Sequence, residues 1–352
     1  MNVASTLRKL SNIAKLTAPL IEGAFLRREG LMVDVRAVTI GSKPAFEIVS
    51  SEGKFLLLER PVSYHNKRSG RATGFQLNLL EYAIPLPLHM GYGDALKGFY
   101  DAKRSQQSNA VDKWFYEHFE IRLATAYFSQ YFCHSEALKD YRLIIFEAIE
   151  AFYMGLDNIA IMSLFPVFEG GLRNLQEKMI GVDKGNVSSK IFSKGLKKIL
   201  TDWGRRSVAE YDWHPGMYGY EAVEFDFYTH ICPQSDVINS FRLFFEQVLY
   251  KSTPQAGEGF NRHLVVHLLK NDFNISTNFM RIFLVLTHIT FIESLTNKSI
   301  PFFWPGYSQE SNRLGDYIEI IGGRMDGRRS LLREFGLPDY PKVGFDLGDV
   351  GD

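Results

Sequence analysis

Two hydrophobic periods alternate along this chain, and the switches between them mark its elements. Leu7, Leu10, Ile13, Leu16, Leu20 and Ile21 recur at helical spacing, which predicts an amphipathic helix packed on its own domain. From about residue 31 the period falls to two. MVDVRAVTI, PAFEIVS and KFLLLERPV read as strands, with Ser50-Ser51-Glu52-Gly53 as the hairpin turn between the last two. GFQLNLLEYAIPLPL predicts a further strand, stopped by Pro85 and Pro87.

Beyond Tyr92 the apolar spacing is three to four residues almost to residue 300. The helices expected there include SNAVDKWFYEHFEIRLATAYFSQYF, SEALKDYRLIIFEAIEAFYMG, DNIAIMSLFPVFEGGLRNLQEKMIG and STNFMRIFLVLTHITFIESL, with Ser135, Asp157, Ser188, Ser235 and Ser276 at N-cap positions. Pro166 should kink its helix, leaving Glu169 and Arg173 one turn apart beyond the bend. The span from Gly204 to Pro233 interrupts this pattern; it is rich in Tyr, Phe and Trp, which either stack bases or pack the span down, the second being preferred. After residue 300, DYIEII reads as a short strand, GRMDGRRSLLREFG as a short basic helix and the acidic last residues as a tail. The fold class is therefore α+β and mostly α-helical. A small N-terminal α+β domain occupies 1–105, an antiparallel helical bundle 106–300 and a C-terminal extension 301–352.

Composition narrows the function classes. Of 352 residues, 45% are hydrophobic and 23% charged, enough for a sizeable core. Forty basic residues against forty acidic ones leave no global field to recruit nucleic acid or a membrane surface, so any polyanion site is local. The loop HNKRSGRATG, with Lys67, Arg68 and Arg71, reads as a solvated loop before a phosphate-binding one. Cys133 and Cys232 stand far apart and suggest neither a ligand cluster nor a disulfide scaffold, which fits a reducing cytoplasm. The N-terminal segment lacks the uninterrupted apolar core and cleavage site of a targeting peptide. The most apolar window, 279–295, holds Arg281, His288 and Glu293 and is too short and polar to span a bilayer, so no membrane association is expected.

Polar chemistry concentrates in GEGFNRHLVVHLLKNDFN, residues 257–274. His263 and His267 share one helix face, with Arg262, Asn261 and Asp272 beside them. On an ideal helix Arg262 lies ~140° round from His267 and reaches it only by its long side chain or from a frayed first turn, which Gly257 and Gly259 make plausible. The two histidines have metal-ligand spacing, but Leu264 stands where a Glu would belong and no third ligand is evident, so neither metal nor cofactor is expected.

The segment NRHLVVHLLKNDFNISTNFMRIFLVLTHI resembles the motif-bearing helix and the next helix of the HEPN superfamily (higher eukaryotes and prokaryotes nucleotide-binding). Its signature is an Arg, four to six variable residues and a His. IMSLFPVFEGGLRNLQEKMIG resembles the core helix of such bundles, with Glu169 as its polar residue. The likeness covers roughly residues 110–300. Three Arg-to-His spacings occur, Arg60 to His65, Arg262 to His267 and Arg281 to His288; the Asn-Arg-His context and the following Asn278 and Arg281 select the middle one. The resemblance implies metal-independent cleavage of RNA by attack of its own 2′-hydroxyl. His267 would be the general acid/base and Arg262 the phosphate and transition-state binder. His263 and Asn261 would be auxiliary, Asn261 otherwise capping the helix, and Glu169 would hold Arg262 or His267 unless it pairs with Arg173. It also implies a homodimer with a composite site, a regulatory N-terminal domain open to a protein or nucleotide, and a role in phage defence or a toxin–antitoxin system. The all-round apolar helix 279–295 is what an interface or a deep core needs. One departure is Leu268, where relatives often carry Gly or another small residue. The alternative reading is a non-catalytic nucleotide- or RNA-binding, or dimerising, scaffold.

Overall fold

The structure, a computed structural model, describes residues 2–105, 107, 109–183, 185, 188–251, 260–268, 273, 275–325, 328, 331–332 and 334–337. Helices α1 (Val3–Leu10) and α2 (Ala18–Glu29) precede strands β1 (Asp34–Ile40), β2 (Lys43–Ser50) and β3 (Gly53–Leu58), and α3 (Arg71–Leu79) follows. Then come α4 (Tyr92–Arg104), α5 (Ala110–Glu117), α6 (Ile121–Gln130), α7 (Arg142–Tyr153), α8 (Asp157–Ile180) and α9 (Ser189–Arg206). The last are α10 (Glu221–Ile231), α11 (Pro233–Phe244), α12 (Arg262–Val266), α13 (Ser276–Ser294) and α14 (Gln309–Gly323). The described residues are thus α+β and mostly helical, with one small three-stranded antiparallel sheet among them.

The chain divides into two compact units, each discontinuous in sequence. One comprises Met1–Asn78 and Lys194–Leu243, the other Leu79–Ser193 and Phe244–Asp352. These do not coincide with the segments 1–105, 106–300 and 301–352 read from the sequence.

In the first unit the sheet runs β1-β2-β3, with Val38 opposite Ala45 and Phe46 opposite Leu57. Gly41 and Ser42 both take positive φ in the two-residue turn joining β1 to β2, the backbone that right-twisted hairpins require. The outer edge of β3 is paired as well, since the Leu56 N–H donates to the Trp213 carbonyl at 2.9 Å and the Asp212 N–H to that of Lys54 at 2.8 Å. Leu7, Leu10, Phe25, Ile48, Phe55 and Trp213 close the core around it. The single N-terminal helix of the sequence reading is two helices, broken where the Leu16 N–H leaves helical pairing for the Glu59 carbonyl. The 204–233 interruption is not unstructured. It holds the end of α9, a 3-10 turn at Pro215–Met217 and α10, and its Trp213, Tyr218, Phe227 and Tyr228 are buried.

The strand expected from GFQLNLLEYAIPLPL is instead α3 and a 3-10 turn. Its cause is distant: the Asp236 carboxylate accepts the N–H groups of Ala72 and Thr73 at 2.7 and 2.8 Å, satisfying the open donors of the first turn of α3. Gly70 permits that approach, because a Cβ there would lie 2.1 Å from Asp236 Cγ. The helix start in the basic loop thus already holds a carboxylate, not an exposed anion site.

In the second unit α13 is the centre. Every side chain from Phe279 to Thr290 is buried, so its all-round apolarity marks deep core. It packs on α8, which also packs on α7, and Phe279 stacks on Phe152 at 4.1 Å. The helix expected over 108–132 breaks between α5 and α6, and DYIEII is helical inside α14, whose start is a capping box of Ser308 and Ser311. Helix α8 continues through Pro166. Of the expected N-caps, Asp157 and Ser276 fall one residue inside, with Leu156 and Ile275 at the caps, Ser235 lies inside α11, and Tyr141 instead of Ser135 caps α7. Helix α11 ends in a π-helical turn, Phe245–Leu249. Gly257, Gly259, Asp272 and the acidic tail lie outside the described residues, as do Asp326, Gly327, Arg329, Ser330 and Arg333 of GRMDGRRSLLREFG, in which Arg328, Leu331, Leu332 and Glu334 are helical as expected. Both cysteines are free thiols. No described helix is long and apolar enough to cross a membrane.

Candidate functional site

Helix α12 is a single short turn, and its neighbours hold it in place. Leu264 and Val265 are buried beneath it, and Phe260 meets Phe165 of α8 with ring centroids 5.5 Å apart. Asn261 caps it: Oδ1 accepts the His263 N–H at 2.9 Å, while Nδ2 donates to the carbonyls of Val248 and Lys251, both at 3.0 Å. The amide thereby uses both its hydrogens and its oxygen on backbone groups. Asn261 is 3% exposed, so its side chain orders the turn and does not reach solvent.

With the apolar side inward, the polar residues face out. His263 and His267 are exposed and Arg262 is half-buried. The two imidazoles lie 4.6 Å apart, centroid to centroid, and 62° from coplanar. Arg262 Nη1 stands 3.5 Å from His267 Nε2. The long-side-chain reach anticipated from the spacing is what spans the gap, and His267 sits at the C-cap with non-helical backbone, which shortens it.

Glu169 of α8 supplies the anchor. Its Oε1 accepts Arg262 Nε at 2.6 Å and the Tyr250 hydroxyl at 2.6 Å. Arg173, its candidate partner on the same helix, donates Nε to the Glu169 backbone carbonyl at 3.3 Å and leaves the carboxylate to Arg262. The Tyr250 ring lies 6.0 Å from the Arg262 guanidinium carbon and 4.4 Å from the ring of Phe245. Burial, with Glu169 second, raises the Tyr250 phenol well above its usual range, so it is a neutral donor at physiological pH. Burial opposes the Arg262 charge, and Glu169 outweighs it, leaving the guanidinium more basic than usual. The arrangement is a cation fixed through Nε, its Nη edge turned toward an exposed imidazole. That set can bind an anionic oxygen and move a proton beside it.

The competing Arg-to-His spacing is structural. Arg281 is 7% exposed and gives its Nη groups to Thr277, Asn278, the Tyr82 carbonyl and Asp112. His288 is fully buried beside the Leu284 carbonyl, and burial pushes its pKa down to about 4. Arg60 and His65 follow β3 in the other unit. Leu268 is 60% exposed and has φ of +50°, backbone that favours glycine. Among the described residues no three His, Cys, Asp or Glu side chains gather as a metal site would need.

Sequence reasoning names Arg262, His263, His267, Asn261 and Glu169, and the fold brings all five to one place. Tyr250 it missed. The available signal was weak, an aromatic residue ending FFEQVLY just before the glycine-containing stretch that precedes the motif. Comparison with protein-family models, curated proteins and solved structures found no match.

Proposed function

We propose that the chain is a metal-independent endoribonuclease of HEPN type. The observation that carries this reading is the pairing of Arg262 Nη1 with His267 Nε2 at 3.5 Å, with Arg262 tied to Glu169 through Nε. RNA brings its own nucleophile. His267 takes the 2′-hydroxyl proton as the 2′-oxygen bonds to phosphorus, and the P–O5′ bond breaks with protonation of the leaving oxygen. The products are a 2′,3′-cyclic phosphate and a 5′-hydroxyl end. The Nη groups of Arg262, beside His267, meet the phosphorane oxygens, where charge develops. His263 lies close enough to be the second imidazole, and Asn261 acts only by ordering the turn. A second copy supplying its own motif, and regulation through the N-terminal sheet unit, belong to the same reading.

A second reading has its own support. Ile159, Met162 and Pro166 are exposed on the face of α8 that leads to Glu169, and Leu268 is exposed just after α12. Such a surface suits a non-catalytic nucleotide- or RNA-binding, or dimerising, scaffold.

The experiment compares wild type, His267→Ala and His288→Ala on mixed structured and single-stranded RNA, with and without chelator. Cleavage that survives chelation and persists in His288→Ala but falls at least ~100-fold in His267→Ala supports the nuclease. RNA bound by wild type without cleavage favours the scaffold.

A further inference from the structure

The residue that no reading of the sequence assigns is Tyr250, and the geometry around it is specific. Two donors, the Tyr250 hydroxyl and Arg262 Nε, converge on the same oxygen of Glu169, each at 2.6 Å. A glutamate carboxylate ends a chain of three rotatable bonds, so one donor alone leaves it free to swing. The second donor is rigid. The Tyr250 N–H donates to the Phe245 carbonyl at 3.0 Å, closing the π-helical turn that precedes it, and its ring packs on Phe245 and Phe192. Asn261 holds the carbonyls of Val248 and Lys251, on either side of Tyr250, from the first position of the motif turn. The π turn matters because one additional residue rotates everything after it by ~100° relative to a continuous α-helix. Tyr250 follows that turn at its C-cap, and its phenol meets Glu169.

We propose that Tyr250 is a positioning residue: its hydroxyl fixes the Glu169 carboxylate, which in turn fixes Arg262 by Nε with the Nη edge turned to His267. The consequence for catalysis rests on the ribonuclease reading, but the positioning itself does not. Tyr250 touches no reacting atom. It acts through Glu169, with its hydroxyl also within hydrogen-bonding reach of Arg262, and the chemistry it serves is that of an oxyanion held by the guanidinium.

The test is Tyr250→Phe, which keeps the ring and removes only the hydroxyl, in the full-length chain. The first readout needs no substrate: solvent exchange of the Arg262 Nε–H, followed by nitrogen-resolved NMR and assigned by its loss in Arg262→Lys. It should quicken about 10-fold in Tyr250→Phe with thermal melting unchanged. The second readout is RNA cleavage, where kcat should fall about 10-fold and the same change in a Glu169→Ala background should have no further effect. Unchanged Nε–H exchange overturns the proposal even if wild type cleaves RNA. Quickened exchange in a protein that cleaves no RNA upholds the positioning and removes the ribonuclease reading. If Tyr250→Phe does not fold, the wild-type hydroxyl proton decides: slow exchange that is lost in Glu169→Ala upholds the contact, and fast exchange in wild type overturns it.

Discussion

Glu169 and Arg262 stand 93 residues apart in sequence, and their side chains meet at 2.6 Å between Oε1 and Nε. The pair is half-buried, with side chains 17% and 25% exposed, so removing the carboxylate strands a cation that water only partly solvates. Glu169→Ala should cost about 1–2 kcal/mol of stability, read by chemical denaturation, and cleave RNA about 10–100-fold more slowly under the ribonuclease reading. A variant as active as wild type would show that Arg262 needs no anchor.

Asn261→Ala removes an N-cap and leaves the Val248 and Lys251 carbonyls without their amide donor. The expected loss is about 2 kcal/mol, concentrated locally. Amide exchange of His263 should quicken far more than that of the α13 backbone; equal changes in both would mean that α12 is not separately ordered by its cap.

Two buried histidines, with His89 and His230 lowered alike by burial, set an acid limit. His288 and His214 are held down to about 4 by burial, from an ordinary value of 6.5. Between those values the unfolded chain binds protons that the folded one refuses, so stability falls as pH drops from 6.5 toward 4 and is indifferent to these groups above 6.5. The slope is about 1.4 kcal/mol per pH unit for each histidine. Urea denaturation across pH 7 to 4.5 should be less steep in pH for His288→Asn by about one histidine; an unaltered slope would mean that His288 takes up its proton when folded.

Leu268 pays the steric penalty of left-handed backbone with φ of +50° while 60% exposed. Leu268→Gly should raise the melting temperature or leave it unchanged, because relief of about 1 kcal/mol offsets the entropy of a new glycine. A drop of several degrees would show that the exposed side chain makes a stabilising contact.

Asp236→Ala and Gly70→Ala strike one contact from opposite ends. Each should destabilise the sheet unit by about 1–3 kcal/mol, the first by losing the α3 cap and the second by driving a Cβ into the carboxylate. The double variant should cost less than the sum, since the clash has no partner once the carboxylate is gone.

The sequence carried the period-two segments well: β1, β2 and β3 fall within residues of their expected places, because their alternation is long and bounded by turns. It failed at GFQLNLL, where a brief alternation was outweighed by a cap from Asp236 that no local window contains. DYIEII failed for a related reason, being too short for its period to separate strand from helix, while Ser308 starts α14 well upstream. At the candidate site the pattern located α12, but not which face Glu169 presents or what else it binds. Tyr250 escaped because it follows a π turn, and no spacing rule drawn from regular helices predicts one.

The Asp236 contact also bears on how this protein comes off the ribosome. The helix at 71–79 awaits a carboxylate synthesised 164 residues after the amide it holds, and β3 lacks its outer neighbour until Trp213 has emerged. Between their own synthesis and that of these partners, β3 has an unpaired outer edge and the helix at 71–79 has no cap. Chaperone capture of stalled chains ending before residue 236, and its release in chains ending well beyond it, is the signature this order of synthesis should leave.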